Sequence, residues 1–154
     1  MISQSEKYRL SISGEFFVAA QLQRLGVSAS VTYGNAKRAD VVAVFRETGK
    51  ALAVEVKSLN KGRWPIGNRV PSPSDQVWVF VHLPDDIAES PHFYILQQHD
   101  LHEMLAPGEA AYLARYKKKY GCEYGASKPG VAAVNRNQLQ DFKDNWCCVL
   151  KLLK

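Results

Sequence analysis

Two carboxylates and a lysine lie close together in the first half of the chain. Asp40 stands at the head of a valine-rich run, Ala39 to Phe45, and Glu55-Val56-Lys57 closes a second apolar run that starts at Ala51. Arg46-Glu47-Thr48-Gly49-Lys50 separates the runs, and Gly49 can supply the positive φ of a tight turn, so the two read as a β-hairpin. Side chains on one face of an antiparallel pair share parity along each strand. A two-residue loop at Thr48-Gly49 sets Asp40 opposite Lys57, and a four-residue loop sets it opposite Glu55. In both registers the three side chains share a face; a three-residue loop separates them unless a bulge restores the phase.

That trio has a definite chemistry. Mg²⁺ is a hard cation that one or two carboxylates hold together with water and substrate phosphate, and Mn²⁺ suits the same donors. Asp40 and Glu55 supply the carboxylates, with the carbonyl of Val56 as a third oxygen. Such an ion acidifies water and neutralises charge building on a phosphodiester under attack. Lys57 is spaced to orient that water or to neutralise the developing charge. Beside two carboxylates its ammonium favours the charged form of all three, so a role as proton acceptor requires the metal or substrate to alter that balance.

The elements around the hairpin must hold it in place. Ser13 to Gly26 carries apolar residues at 17, 18, 22 and 25, with Ser13 as N-cap and Gly26 as the stop, which predicts a helix. Val77 to Leu83 is a nearly continuous apolar strand ended by Pro84, as expected in the middle of a sheet. A further strand is expected at Phe93 to Leu96, and a short one at Val131 to Val134. Helices are expected at Gln98 to Leu105, at Glu109 to Tyr120 after a break at Pro107-Gly108, and at Gln138 to Leu150. Ser58 to Gln76, with three prolines and no clear period, reads as a long loop. The order predicts an α/β (α+β) fold with a mixed sheet of four or five strands flanked by helices.

Glu15 in the first helix, Asp40, and Glu55-x-Lys57 together resemble the PD-(D/E)XK nuclease superfamily, which has the restriction-endonuclease-like core, and are most similar to small nucleases of the Holliday-junction-resolvase type. The similarity covers Ser13 to Ser58. It implies that Asp40 and Glu55 ligate metal, that Lys57 is the catalytic lysine, and that Glu15 reaches the metal or its water from the helix. Ala39 stands where the motif has proline, and a helix usually follows E-x-K where this chain has the loop. The resemblance also implies a role for a glutamine after the E-x-K strand, here Gln76. The function expected is Mg²⁺-dependent hydrolysis of phosphodiesters in DNA, with RNA left open; a non-cleaving nucleic-acid-binding module and a protein-interaction domain are the alternatives.

Composition bounds the remaining classes. The chain has 154 residues and a formal charge of +5, with 46% apolar and 23% charged residues. No low-complexity linker or repeat divides it, so one domain over residues 1–154 is expected. Residues 1–70 hold 11 Lys and Arg against 5 Asp and Glu, whereas residues 71–154 hold 9 against 10. A basic half in an otherwise balanced chain points to a polyanion. Lys37 and Arg38 before the cluster, and Lys61, Arg63 and Arg69 after it, are expected to contact phosphate, while Trp64 either stacks on a base or anchors the loop in the core. Arg115 to Tyr120 interleaves bases with aromatics at a helix end, where cations also complement the helix dipole.

No apolar run is long enough to span a membrane, no secretory signal pattern is visible, and a cytoplasmic location is expected. Cys122, Cys147 and Cys148 read as reduced and mostly buried, and His99, His102 and His82 as ordinary core or surface histidines. No Walker-type loop, G-x-S-x-G or G-x-G-x-x-G motif appears. A homodimer would suit a two-fold substrate.

Overall fold

The computed structural model describes residues 3–33, 39–125, 128 and 132–154. Its elements run α1 (Gln4–Arg24), β1 (Ser28–Val31), β2 (Val41–Val44), β3 (Ala51–Leu59), β4 (Trp64–Gly67), β5 (Val77–His82), β6 (His92–Gln97), α2 (Gln98–Tyr120) and β7 (Ala132–Val134), then a 3₁₀ helix (Arg136–Phe142) and α3 (Cys147–Leu153). Five strands form one mixed sheet in the order β1-β2-β3-β5-β6, and β4 pairs with β7 as a separate two-stranded sheet. The pairing of β3 with β5 is parallel and the other neighbours are antiparallel. This is the mixed α/β sheet with flanking helices expected from the sequence.

The two faces of the sheet bury different cores. Val18 and Leu22 of α1 and Val149 and Leu153 of α3 cover one face, against Val41, Ala43, Val54, Val56, Val77, Val79 and Ile95. Trp64, Val134, Leu101, Leu105 and Leu139 cover the other, against Trp78, Phe80, Tyr94 and Leu96. The odd-numbered valines of β5 thus face one core and Trp78 and Phe80 the other, which is why that strand reads as unbroken apolar sequence. Each fully buried side chain of this size contributes about 1.5–3 kcal/mol of transfer free energy.

The hairpin has the four-residue register. Val41 pairs with Val54 and Val44 with Ala51, and the Phe45 N–H donates to the Lys50 carbonyl at 2.9 Å. Gly49 closes the turn with φ 69°.

Five expectations are corrected. Helix α1 starts at Gln4, because Ser3 and Glu6 form a reciprocal capping box in which Ser3 Oγ accepts the Glu6 N–H and the Ser3 N–H donates to Glu6 Oε2 at 2.7 Å. Ser13 is therefore interior, Phe17 and Leu25 lie partly exposed, and the buried stripe is Gly14, Glu15, Val18, Ala19 and Leu22. Ser58 to Gln76 is not one long loop, since β3 runs to Leu59 and β4 pairs with β7. Helix α2 passes through Pro107, which lies exposed beside Gly108, while Leu101 and Leu105 anchor the buried side. Water can serve the Glu103 carbonyl that Pro107 leaves without an N–H partner.

The last expected helix is two pieces. Asp144 has φ 53°, its N–H donates to the Phe93 carbonyl, and Asn145 Nδ2 donates to the Ile95 carbonyl, so β6 pins the chain between the 3₁₀ helix and α3. The cysteines are free but not mostly buried: Cys122 and Cys147 are exposed, at the turn after α2 and at the start of α3. Cys148 is half-buried, and burial pushes its thiol up to about 11, which makes it a poor nucleophile. No helix among the described residues is long and apolar enough to cross a membrane.

Candidate active site

The site forms where β2 stops and β3 continues. Past the Val41–Val54 pair, the second half of β3 keeps only its parallel partner β5, in the register Glu55–Trp78 and Lys57–Phe80. The Asp40 N–H still donates to the Val54 carbonyl at 3.0 Å, but the next β3 donor, the Val56 N–H, is met by Asp40 Oδ2 at 2.8 Å. A carboxylate thus replaces the missing backbone acceptor, which fixes Asp40 against the rim of β3. The Thr32 hydroxyl, bonded to the Ala39 carbonyl at 2.5 Å, holds the approach to Asp40 from the other side.

Glu55 and Lys57 are two apart on β3 and share the sheet face opposite Val56 and Ser58. Lys57 Nζ donates to Glu55 Oε1 at 2.5 Å and lies 5.7 Å from the centroid of the Trp78 ring. Their side chains are 31% and 25% exposed, so both head groups stay within reach of a ligand.

Glu15 arrives from α1. Gly14 allows the approach: a Cβ there would stand 1.6 Å from Ser58 Oγ, so only glycine lets the helix settle on β3 at this point. Glu15, a residue only 9% exposed, accepts a hydrogen bond from Ser11 Oγ at 3.3 Å through its carboxylate. Burial pushes its pKa above the ordinary glutamate value, and the negative charges of Asp40 and Glu55 add to the rise. Asp40 is raised too, first by burial and then by Glu55, against the lowering effect of the Val56 N–H and of Lys57. Glu15, Asp40 and Glu55 therefore sense one another's charge, with Lys57 as the cation among them.

A cleft of about 410 Å³ opens beside them, between the first turns of α1 and the end of β3. Asp40 and Lys57 line it, as do Lys7, Ser11, Lys61 and Arg63. Lys7, Ser11 and Glu15 follow one another at i, i+4 and i+8 on α1, a spacing that puts them on one side of the helix. Lys7 and Ser11 were not expected from the sequence, because a helix begun at Ser13 cannot contain them. Asn60, a further unexpected neighbour, donates from Nδ2 to Asp85 at 2.9 Å.

The expected phosphate contacts divide. Arg63 is exposed on the wall of the cleft. Lys61 also lines it but is paired with Asp85 at 2.6 Å. Arg69 is turned elsewhere: Nη2 donates to the Tyr124 carbonyl at 2.8 Å and the guanidinium stacks 4.8 Å from the Tyr124 ring. Trp64 is a core anchor rather than a base-stacking platform, 1% exposed and edge-on to Phe80 and Tyr94 at centroid distances of 5.7 and 6.1 Å. Gln76 spends its amide on the Ala53 and Val77 carbonyls and so serves the backbone. Lys37 and Arg38 lie outside the described residues.

The histidines are structural, as expected, although the buried Nδ1 of His82 has no hydrogen-bond partner among the described residues. His102 bonds the Pro71 carbonyl, His99 faces Glu103, and His82 Nε2 bonds the Asn60 carbonyl. Among the described residues no three His, Cys, Asp or Glu groups stand close enough to enclose a metal ion unaided. The carboxylate oxygens left for a cation are Asp40 Oδ1 and Glu55 Oε2, since Oδ2 accepts the Val56 N–H and Oε1 accepts from Lys57, and the Val56 carbonyl shares the edge of β3 to which the Val56 N–H points. Asp40 Oδ1 has no protein partner among the described residues.

No protein-family profile matches the chain, and no curated protein matches its sequence. The fold is similar to that of a solved bacterial homing endonuclease, I-Ssp6803I, with a TM-score of 0.50 and 16% identity, across 99% of this chain and 94% of that one. The likeness, at that identity, is one of fold, and it extends over nearly the whole length of both chains.

Proposed function

We propose that the chain is a divalent-cation-dependent nuclease of the PD-(D/E)XK type that hydrolyses phosphodiester bonds in DNA. The observation that carries this reading is the clustering of Glu15, Asp40 and Glu55 with Lys57 at the open end of β3, where Asp40 and Lys57 line a cleft with basic walls. A pure binder of nucleic acid gains nothing from clustered carboxylates, which repel phosphate. The similar fold of a protein named as an endonuclease supports the reading.

The donor set fits a hard dication. It is all oxygen, with two carboxylates and one carbonyl, and burial already disfavours the charged form of Asp40, a condition that a cation relieves. Because the protein offers too few groups to enclose an ion, the fit is to one that keeps waters and takes substrate oxygens, as Mg²⁺ and Mn²⁺ do. Asp40, Glu55 and the Val56 carbonyl would hold it, and when bound it acidifies water and neutralises charge on the phosphate.

The residues of the chain do the rest. The Val56 N–H orients Asp40 so that Oδ1 is left for a ligand. Lys57, held by Glu55 and the Trp78 face, presents its remaining N–H donors to a phosphate oxygen or a water. Glu15, with the Ser11 hydroxyl donating to one oxygen, is a carboxyl group at the back of the site whose pKa burial raises above the ordinary glutamate value, so it holds a proton more readily than a free side chain does.

The test is a gel. Purified protein is incubated with labelled linear, nicked and four-way-branched DNA and with RNA, in Mg²⁺, Mn²⁺ or EDTA, beside Glu55→Ala. Cutting that requires both a divalent ion and Glu55 is the expected result and ranks the substrates. Salt-sensitive binding without cutting under any condition identifies a non-cleaving module instead, and the absence of both rejects the nucleic-acid reading.

A further inference from the structure

A second cleft, of about 600 Å³, lies between α2 and the β4–β7 pair, and Arg63 lines both it and the carboxylate cleft. We infer that the two clefts form one track, and that the second grips the phosphodiester backbone of duplex DNA flanking the site of cleavage, through Arg63 and Arg115. This rests on the nuclease reading for where the track begins, but not for what the second cleft binds.

Arg63 precedes β4 and Arg115 belongs to α2, so two separate elements present guanidinium groups to one concavity. Neither has a hydrogen bond or ion pair among the described residues, and both are exposed. A guanidinium fork matches two phosphate oxygens at once, and a concave, cationic surface focuses its field on a passing polyanion. The acidic residue of the lining is Glu109, and its Oε1 is occupied by the Val70 N–H at 2.9 Å.

The rim adds aromatic support. Tyr112 and Tyr124 meet edge-to-face at 5.6 Å, Tyr116 packs against Tyr124 at 4.9 Å, and Lys128 lies 4.5 Å from the centroid of the Tyr116 ring. This cluster braces the Arg115 turn of α2, and Arg69 and Lys128 add positive charge beside it. The occupant is a strand rather than a small anion because Arg63 is common to both clefts. A duplex carries one negative charge per about 3.4 Å of each strand, so a backbone leaving the first cleft reaches the second with regularly spaced phosphates.

Binding in EDTA by fluorescence anisotropy tests this without any need for cleavage. The probes are a short duplex that fills only the carboxylate cleft and a duplex of about 24 base pairs, roughly 80 Å long. The proteins are wild type, Arg115→Ala, Glu109→Gln and Lys118→Ala, the last an exposed cation on the same helix outside the cleft. Arg115→Ala is expected to weaken the long duplex about tenfold, to lower the slope of log Kd against log salt by about one, and to leave the short duplex unchanged. Glu109→Gln, which keeps an acceptor for the Val70 N–H, tightens the long duplex severalfold, and Lys118→Ala changes it less than twofold.

Equal losses for Arg115→Ala and Lys118→Ala, or an Arg115 effect that does not depend on duplex length, overturn the track. So does displacement of DNA by polyglutamate as readily as by unlabelled duplex, which marks a general anion patch. The length-dependent Arg115 effect without cutting in any divalent ion leaves the track standing and removes the hydrolytic reading, whereas metal-dependent cutting without an Arg115 effect does the reverse.

Discussion

The two halves of β3 differ in one respect that accounts for most of the site. From Ala51 to Val54 the strand is hydrogen-bonded to β2 on one side and runs up to β5 on the other. From Glu55 to Leu59 it keeps β5 alone, because β2 begins only at Val41. In the first half the β2 ladder and the Gln76 amide, at the Ala53 carbonyl, serve the backbone without a carboxylate, and the side chains are apolar. In the second, a side chain must satisfy the backbone, and Asp40 does so at Val56. An early strand end inside a sheet thus creates a local edge where carboxylates are useful to the fold and open to solvent. The same chain end leaves room for α1 to bring Glu15 close, through the contact of Gly14 with Ser58.

Substitutions at the open rim of β3 and in the core behind it therefore separate chemistry from stability. Glu55→Ala or Lys57→Ala, in the open half, is expected to lower the cleavage rate about a hundredfold or more, with little change in the melting temperature; rates within tenfold of wild type would remove both residues from the reaction. In the core behind this rim, Phe80→Ala or Trp64→Ala leaves a cavity and is expected to cost about 3–5 kcal/mol in denaturant unfolding. For Trp64 this also separates a core anchor from a base-stacking group: Trp64→Phe retains nucleic-acid affinity if the ring only packs.

Gly14→Ala tests the joint between helix and strand. The added Cβ forces α1 away from Ser58, with an expected loss of about 1–3 kcal/mol and a fall in activity as Glu15 shifts. Unchanged stability would mean that the helix is not held at that point.

The smallest effect is on pH dependence. The folded pKa values of Glu15 and Asp40 lie above their ordinary values of 4.5 and 3.8. The native state therefore binds protons that the unfolded chain has released, and in EDTA stability falls as pH rises from those values through the raised ones. Glu15→Gln removes its share, so the variant is more stable than wild type at neutral pH and its melting temperature varies less across that window. A variant less stable than wild type at pH 7 would contradict the sign.

Local patterns made part of this legible in the sequence. The hairpin, the buried β5 and the stop of α2 at Gly121 are written in short-range periodicity and turn residues. The quartet of Glu15, Asp40, Glu55 and Lys57 was visible because helix and hairpin follow one another closely. What was missed depends on distant partners. Trp64-Pro65-Ile66-Gly67 is too short and too rich in turn formers to read as a strand until Ala132 to Val134 pairs with it. The break at Asp144 is imposed by β6, against a local preference for helix. Lys7 and Ser11 were within reach: the Ser3–Glu6 capping signature places the start of α1 early enough to include them.

The most direct test of the account is the single-turnover cleavage rate of Asp40→Asn in saturating Mg²⁺. Asparagine keeps an oxygen to accept the Val56 N–H, so fold and rim are preserved while the charge is removed. A loss of about a hundredfold or more at an unchanged or higher melting temperature is the predicted result. A rate equal to that of wild type would contradict the claim that this carboxylate serves the reaction.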